Sequence, residues 1–113
     1  VEGFGKDHAI IYHTLPHFDN TGLLVAGRFF HPGDAVTVIP PRVVEILALP
    51  IIAPWARLAD SLDYAQKINP KICFPIHDGF MEFLGPYESI PLKVFEKTDI
   101  TFAVLEQGKS MEF

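Results

Sequence analysis

Cysteine is nearly absent from this chain. The one thiol among 113 residues, Cys73, excludes an internal disulfide and points to a reducing, cytoplasmic setting. Cations are also scarce: nine Lys and Arg stand against 14 Asp and Glu, for a net charge of −5, and none of the nine form a stripe. A protein whose main partner is nucleic acid needs such a stripe to neutralise phosphates, so that class is set aside. No long hydrophobic run occurs, because Pro40, Pro41, Arg42, Glu45, Pro50 and Pro54 interrupt the most apolar stretch, residues 36–55. A membrane-spanning helix is therefore not expected. The opening residues 1–7 lack both a basic start and an apolar core and do not read as a signal peptide. A Gly-rich phosphate loop, a serine elbow and a cysteine pair at zinc spacing are missing too, which narrows any enzyme chemistry to His and carboxylates.

What is present is an ordinary globular composition, 49% hydrophobic and 20% charged, which excludes disorder, coiled coil and collagen. The apolar runs at residues 9–12 and 23–26, the second followed by Gly27-Arg28 and Phe29-Phe30, read as neighbouring strands with a tight turn. His31-Pro32-Gly33-Asp34 ends that ladder and leaves Asp34 on a strand-end loop. Residues 43–49 form a nearly continuous apolar run, as expected for a strand covered on both faces. Leu58, Leu62 and Ala65 then recur at helical spacing, which predicts an amphipathic helix over 56–68, stopped by Asn69-Pro70. Ile72–Ile76 reads as a strand whose Pro75 needs an edge position or the strand's end, and it delivers His77 onto a loop. A short helix through Glu96, with Ser89 as N-cap and Pro91 in its first turn, and a last strand over 100–106 complete the pattern. The fold class is α/β, mainly β-sheet with about two helices. Two short helices are too little cover for a five-strand sheet, so residues 1–113 read as a single partial domain of a larger fold, or as a protomer completed by a partner.

Five histidines, His8, His13, His17, His31 and His77, are the main carriers of possible chemistry, since a neutral imidazole at a strand end offers a lone pair to a metal. Each also has a plain reading as a loop residue. Asp34 competes with ordinary Pro-Gly-Asp turn chemistry, and Asp19-Asn20 reads as loop-shaping. His77 is distinguished by its place at the end of a buried strand, where open α/β sheets put their sites. Cys73 reads as a small buried hydrophobe, and Phe29, Phe30, Phe80 and Phe83 as core aromatics.

Several segments together resemble the C-terminal half of the metallo-β-lactamase-fold hydrolases, in the branch of metal-dependent hydrolases that includes ascorbate-lactonase-like proteins. The string from Gly22 to Asp34 looks like that family's paired strands and Gly-Asp metal motif, residues 44–50 like its next buried strand, and residues 68–77 like the strand presenting the last metal-binding histidine. The resemblance covers nearly the whole chain. It implies an αββα sandwich with the site between its halves, of which this chain is the C-terminal half and exposes an apolar face unless another chain covers it. It further implies metal ligands at Asp34, the carboxylate that bridges two ions in dinuclear members and orients the attacking water, and at His77. The middle histidine falls on His17 or, in reserve, His13, while His8 and His31 are supporting or structural.

The family's His-x-His-x-Asp-His hallmark does not occur in these residues. The expectation is therefore a parent metal-dependent hydrolase with zinc, or manganese or iron, and up to two ions, while this chain alone is inactive and holds no metal. Its partners would be a small-molecule substrate and the N-terminal half of the fold or another protomer. The alternative is a noncatalytic half-fold that self-associates into a homo-oligomer or pairs with a separate N-terminal chain. A small cupin-like metal barrel is a third reading, opposed by a helix lying between two strands.

Overall fold

A computed structural model describes residues 1–79 and 81–113; Phe80, read above as a core aromatic, lies outside the described residues. The chain forms an α/β fold of six strands and two helices, mostly sheet. The strands are β1 (Glu2–Phe4), β2 (Gly22–Val25), β3 (Phe29–His31), β4 (Ile46–Pro50), β5 (Ile72–Ile76) and β6 (Thr101–Phe102), and they lie side by side in chain order. β2 runs antiparallel to both of its neighbours, β1 and β3, whereas β3 through β6 are parallel. Parallel neighbours need a crossover, which helices α1 (Leu58–Ile68) and α2 (Gly85–Phe95) supply between β4 and β5 and between β5 and β6.

One row of side chains explains where the core sits. Leu24, Phe30, Leu47, Cys73 and Phe102 are register partners across five strands, and all are buried. Helix residues Leu62, Tyr64, Ala65 and Phe95 complete the same cluster, with α1 packed on β4, α2 on β6 and the helices touching each other. Burial of Cys73 pushes its thiol up to about 12, so it behaves as a hydrophobe rather than a nucleophile. The neighbouring row, Val25, Phe29, Ile46, Ile72 and Thr101, points to the opposite face, where Leu23 and Val25 are exposed. Phe29 and Phe74 stack on that face at 6.1 Å, and Phe113 stacks on Phe74 at 6.0 Å. Neither helix covers this row.

The hairpin joining β2 and β3 turns through Ala26, Gly27 and Arg28; Ala26 and Gly27 are at positive φ (52° and 66°), and the Arg28 N–H donates to Val25 O at 3.1 Å. β4 is buried at every position, in accord with its unbroken apolar run. α1 begins at Leu58, two residues later than its periodicity predicts, because Arg57 is still extended and acts as N-cap; Asn69 closes it in the left-handed conformation.

Three elements differ from the sequence reading. Residues 9–12 are not a strand: an isolated Asp7–Asp19 bridge pinches residues 8–18 out of the sheet, and Glu2–Phe4 takes the edge instead. α2 starts at Gly85, with Pro86 in its first turn, so that Ser89 lies inside the helix and Pro91 is buried mid-helix. β6 is only two residues long and pairs with Ile72 and Cys73, which leaves the outer side of Pro75 without a strand and so tolerates its missing N–H. Among the described residues no helix is long and apolar enough to cross a membrane.

Candidate functional site

Three parallel strands deliver their following residues to one end of the sheet. Asp34 comes three residues after β3, Trp55 follows β4 through a short loop, and His77 is the first residue beyond β5. This is the end at which open α/β sheets bind ligands, since the strand termini there splay their loops around a common crevice.

The Asp34 loop is held from below by Asn20. Its Nδ2–H donates to the Pro32 carbonyl at 2.9 Å, its Oδ1 accepts the Asp34 N–H at 2.9 Å, and its own backbone N–H donates to Lys6 O at 2.7 Å. Gly33 makes this possible: its φ is +73°, and a Cβ there would stand 2.0 Å from Asn20 Oδ1. Asn20 itself is 8% exposed, and its bond to the Pro32 carbonyl is buried. Asn20→Ala should therefore cost about 1–3 kcal/mol, the penalty for stranding buried polar groups, and a urea unfolding curve measures it. A loss below about 0.5 kcal/mol would show that water replaces the amide.

His77 adopts φ +68°, a left-handed conformation uncommon for a residue with a side chain. Its ring meets the segment that follows β4, where Nδ1–H donates to Ile52 O at 2.8 Å. Nε2 then lies 3.2 Å from Asp34 Oδ1. His8 mirrors it: Nδ1–H donates to Ala9 O at 2.7 Å, and Nε2 lies 3.5 Å from Asp34 Oδ2. In both rings the hydrogen is on Nδ1, because a carbonyl only accepts, and Nε2 is aimed at the carboxylate. Each oxygen of Asp34 thus faces its own imidazole. Trp55 backs the group, its Nε1–H donating to Asp34 O at 3.3 Å and its ring meeting His8 edge-on at 4.9 Å and His77 at 6.1 Å. The Asp34 side chain remains 39% exposed, against 11% for His8 and 30% for His77, so the cluster is open on one side.

Of the residues singled out in the sequence, Asp34 and His77 are brought together and His13 and His17 are not. Both of the latter lie exposed in the loop over residues 9–18, where His13 packs on Tyr12. The reason is the neck of that loop: the His8 N–H donates to Phe18 O at 3.0 Å beside the Asp7–Asp19 bridge, which keeps His8 at the base and throws the following residues outward. His8 is the histidine that reaches Asp34, whereas the resemblance put the middle histidine at His17, with His13 in reserve. His31 is structural, its Nδ1 accepting the Gly33 N–H at 3.1 Å. Trp55 carries no sequence signal beyond being an aromatic after Pro54.

No family model matches the chain. The chain is similar to Protein Rv0786c of Mycobacterium tuberculosis (strain ATCC 25618 / H37Rv), 32% identical over 120 residues that take in all of this chain and 55% of that protein. It therefore spans about half the length of the curated relative it matches.

Imidazole nitrogens and carboxylate oxygens are donors that zinc, manganese and iron all accept. The donor types at Asp34, His8 and His77 fit such an ion. Their number does not suffice: they form two N–O pairs rather than a cage, and among the described residues no group of three or more His, Cys, Asp or Glu is set to hold a metal ion. Without further ligands the cluster is one side of a site.

Proposed function

We propose that this chain supplies one half of the active site of a metal-dependent hydrolase of the metallo-β-lactamase superfamily, in its ascorbate-lactonase-like branch. The observation that carries the reading is the placement of one imidazole Nε2 on each oxygen of Asp34 at the open end of the parallel strands, at 3.2 and 3.5 Å. A carboxylate set between two imidazoles offers oxygen and nitrogen donors of the kind that zinc, manganese and iron take, and these residues would serve as ligands if such ions were bound. Asp34, His77 and His8 would hold zinc, or manganese or iron, together with ligands from the missing His-x-His-x-Asp-His half. When bound, such an ion polarises a carbonyl or phosphoryl oxygen and acidifies water. The residues of this chain orient it: the carbonyls of Ile52 and Ala9 fix the two rings, and Asn20 fixes the aspartate loop. The chain by itself is inactive on this reading, and the partner half is either the remainder of a longer protein or another protomer. A cytoplasmic setting belongs to the same proposal, supported by the single buried, unpaired Cys73.

The test uses the completed protein, this chain with its partner half in one polypeptide or as two protomers. Dialysis against a chelator should remove its hydrolysis of a nitrophenyl ester or nitrophenyl phosphodiester by at least about 100-fold, and added zinc or manganese should restore it. Full activity after chelation, with no metal in the purified protein, would end the reading.

A second reading is favoured by the apolar sheet face, where Leu23 and Val25 are exposed and Phe29 and Phe74 stack. On it, the chain is a noncatalytic half-fold that pairs through this face with itself or with a separate chain. Light scattering after gel filtration tests its self-association, against which a stable monomer of this chain counts.

A further inference from the structure

A groove of about 490 Å³ opens beside Asp34, between the start of the 9–18 loop, the segment after Asp34 and the exposed side of α1. That volume falls within the range of small-molecule sites, roughly 300–1,000 Å³. Its walls near Asp34 are apolar, formed by Ile10, Val36 and the ring of Trp55. Trp55 stands between the groove and the cluster: it lines the groove and holds Asp34 and both imidazoles through the contacts described above. A molecule resting on Trp55 therefore lies beside the Asp34 carboxylate.

The charges around the groove decide what it accepts. Asp60 is occupied by the Arg57 guanidinium at 2.7 and 2.9 Å. Asp63 and Lys67 lie one helical turn apart on α1 and set one negative and one positive charge along the rim. Asp34 faces His8 and His77. Tyr64 contributes only its ring, because its hydroxyl donates to Val38 O. Three carboxylates and one lysine line the groove, so its lining is net negative and disfavours a polyanionic substrate.

We propose that this groove is the subsite for the uncharged, apolar body of a small-molecule substrate, and that Trp55 is its specificity-determining wall. Acyl or aryl groups fit it, and phosphodiesters and other polyanions do not. The inference narrows the substrate class of the hydrolase reading and rests on that reading for what happens at Asp34.

Trp55 is the chain's one tryptophan and reports occupancy through its own fluorescence. Two probes share the same rings and differ by one sulfonate: uncharged N-phenyl-1-naphthylamine and anionic 8-anilinonaphthalene-1-sulfonate. The uncharged probe should quench Trp55 with a Kd at least tenfold lower than the anionic one. Val36→Glu, which puts a carboxylate in the groove wall, should weaken it at least tenfold. Ile10→Glu, on a side chain 66% exposed and so without cost to the core, should do the same if Val36→Glu fails to fold. Val94→Glu, in the separate groove between α1 and α2, and Val25→Glu, on the open sheet face, should leave the Kd within twofold. Equal affinity for both probes, absence of quenching, or loss of binding only in the Val94 or Val25 variants overturns the proposal. Binding as described in a protein that hydrolyses nothing when completed by its partner half would keep the groove and sink the hydrolase reading, while phosphodiester hydrolysis without probe binding would do the reverse.

Discussion

Asp34→Ala in the protein completed by its partner half is expected to lower hydrolysis at least about 100-fold, since loss of even an indirect partner of a metal ligand commonly costs 10- to 100-fold. The substitution removes both oxygens at once, so His8 and His77 lose their common target together. The fold should survive. The side chain is 39% exposed, and the hydrogen bonds that shape its loop are made by its backbone and by Asn20 rather than by its carboxylate. Asp34→Asn sharpens the result, because the amide keeps the shape of the side chain but replaces one acceptor oxygen with a donor. The measurements are turnover and metal content at matched thermal stability. Unchanged turnover and metal content in Asp34→Ala would remove the aspartate from its proposed role.

Phe30→Ala should be the most damaging single truncation in the core. Its ring has no solvent exposure, lies 6.4 Å from the Phe4 ring in an edge-on contact, and packs so closely on Gly22 that a Cβ there would come within 2.7 Å of it. It also sits in the middle of the buried row, between Leu24 on one neighbour and Leu47 on the other. Large-to-small changes of a buried phenylalanine cost about 3–5 kcal/mol, because a cavity is added to the lost transfer energy. For a domain near this size each kcal/mol moves the midpoint by about 4–8 °C, so a melt followed by circular dichroism should show a fall of more than about 10 °C. Val43→Ala is the control: that side chain is 88% exposed, and the expected change is within about 0.5 kcal/mol. A loss below about 1 kcal/mol at Phe30 would mean that the neighbouring side chains collapse into the space.

The parts of the fold legible in the sequence are those whose signal is local. The apolar run that becomes β4, the 3.6-residue spacing of α1 and the hydrophobic strand ending at His77 each announce themselves within a dozen residues. β1 does not, because it is three residues long and owes its conformation to pairing with Gly22, Leu23 and Leu24, some 20 positions away. The length of α2 is hidden by Pro91, which reads as a start but lies inside the helix behind Pro86. At the site, the turn chemistry of Gly33-Asp34 and the strand before His77 mark two positions correctly as loop residues at strand ends. His8 is another matter. Its nearness to Asp34 depends on the contact between Asp7 and Asp19 that closes a loop, a tertiary event with no counterpart in spacing. Trp55 is hidden for the same reason, since only the fold brings an aromatic after Pro54 against two imidazoles from distant segments.

The antiparallel edge has a further consequence. His8 is carried by a segment that joins the sheet through only three residue pairs, whereas Asp34 and His77 follow strands in its parallel centre. Short outer ladders open at far lower free energy than the middle of a sheet, so the two sides of the cluster belong to regions of different hydrogen-exchange protection. A ligand spanning both sides would be bound partly at the expense of this fraying, and slowed exchange of the Glu2–Phe4 amides would record its arrival before any change at the centre.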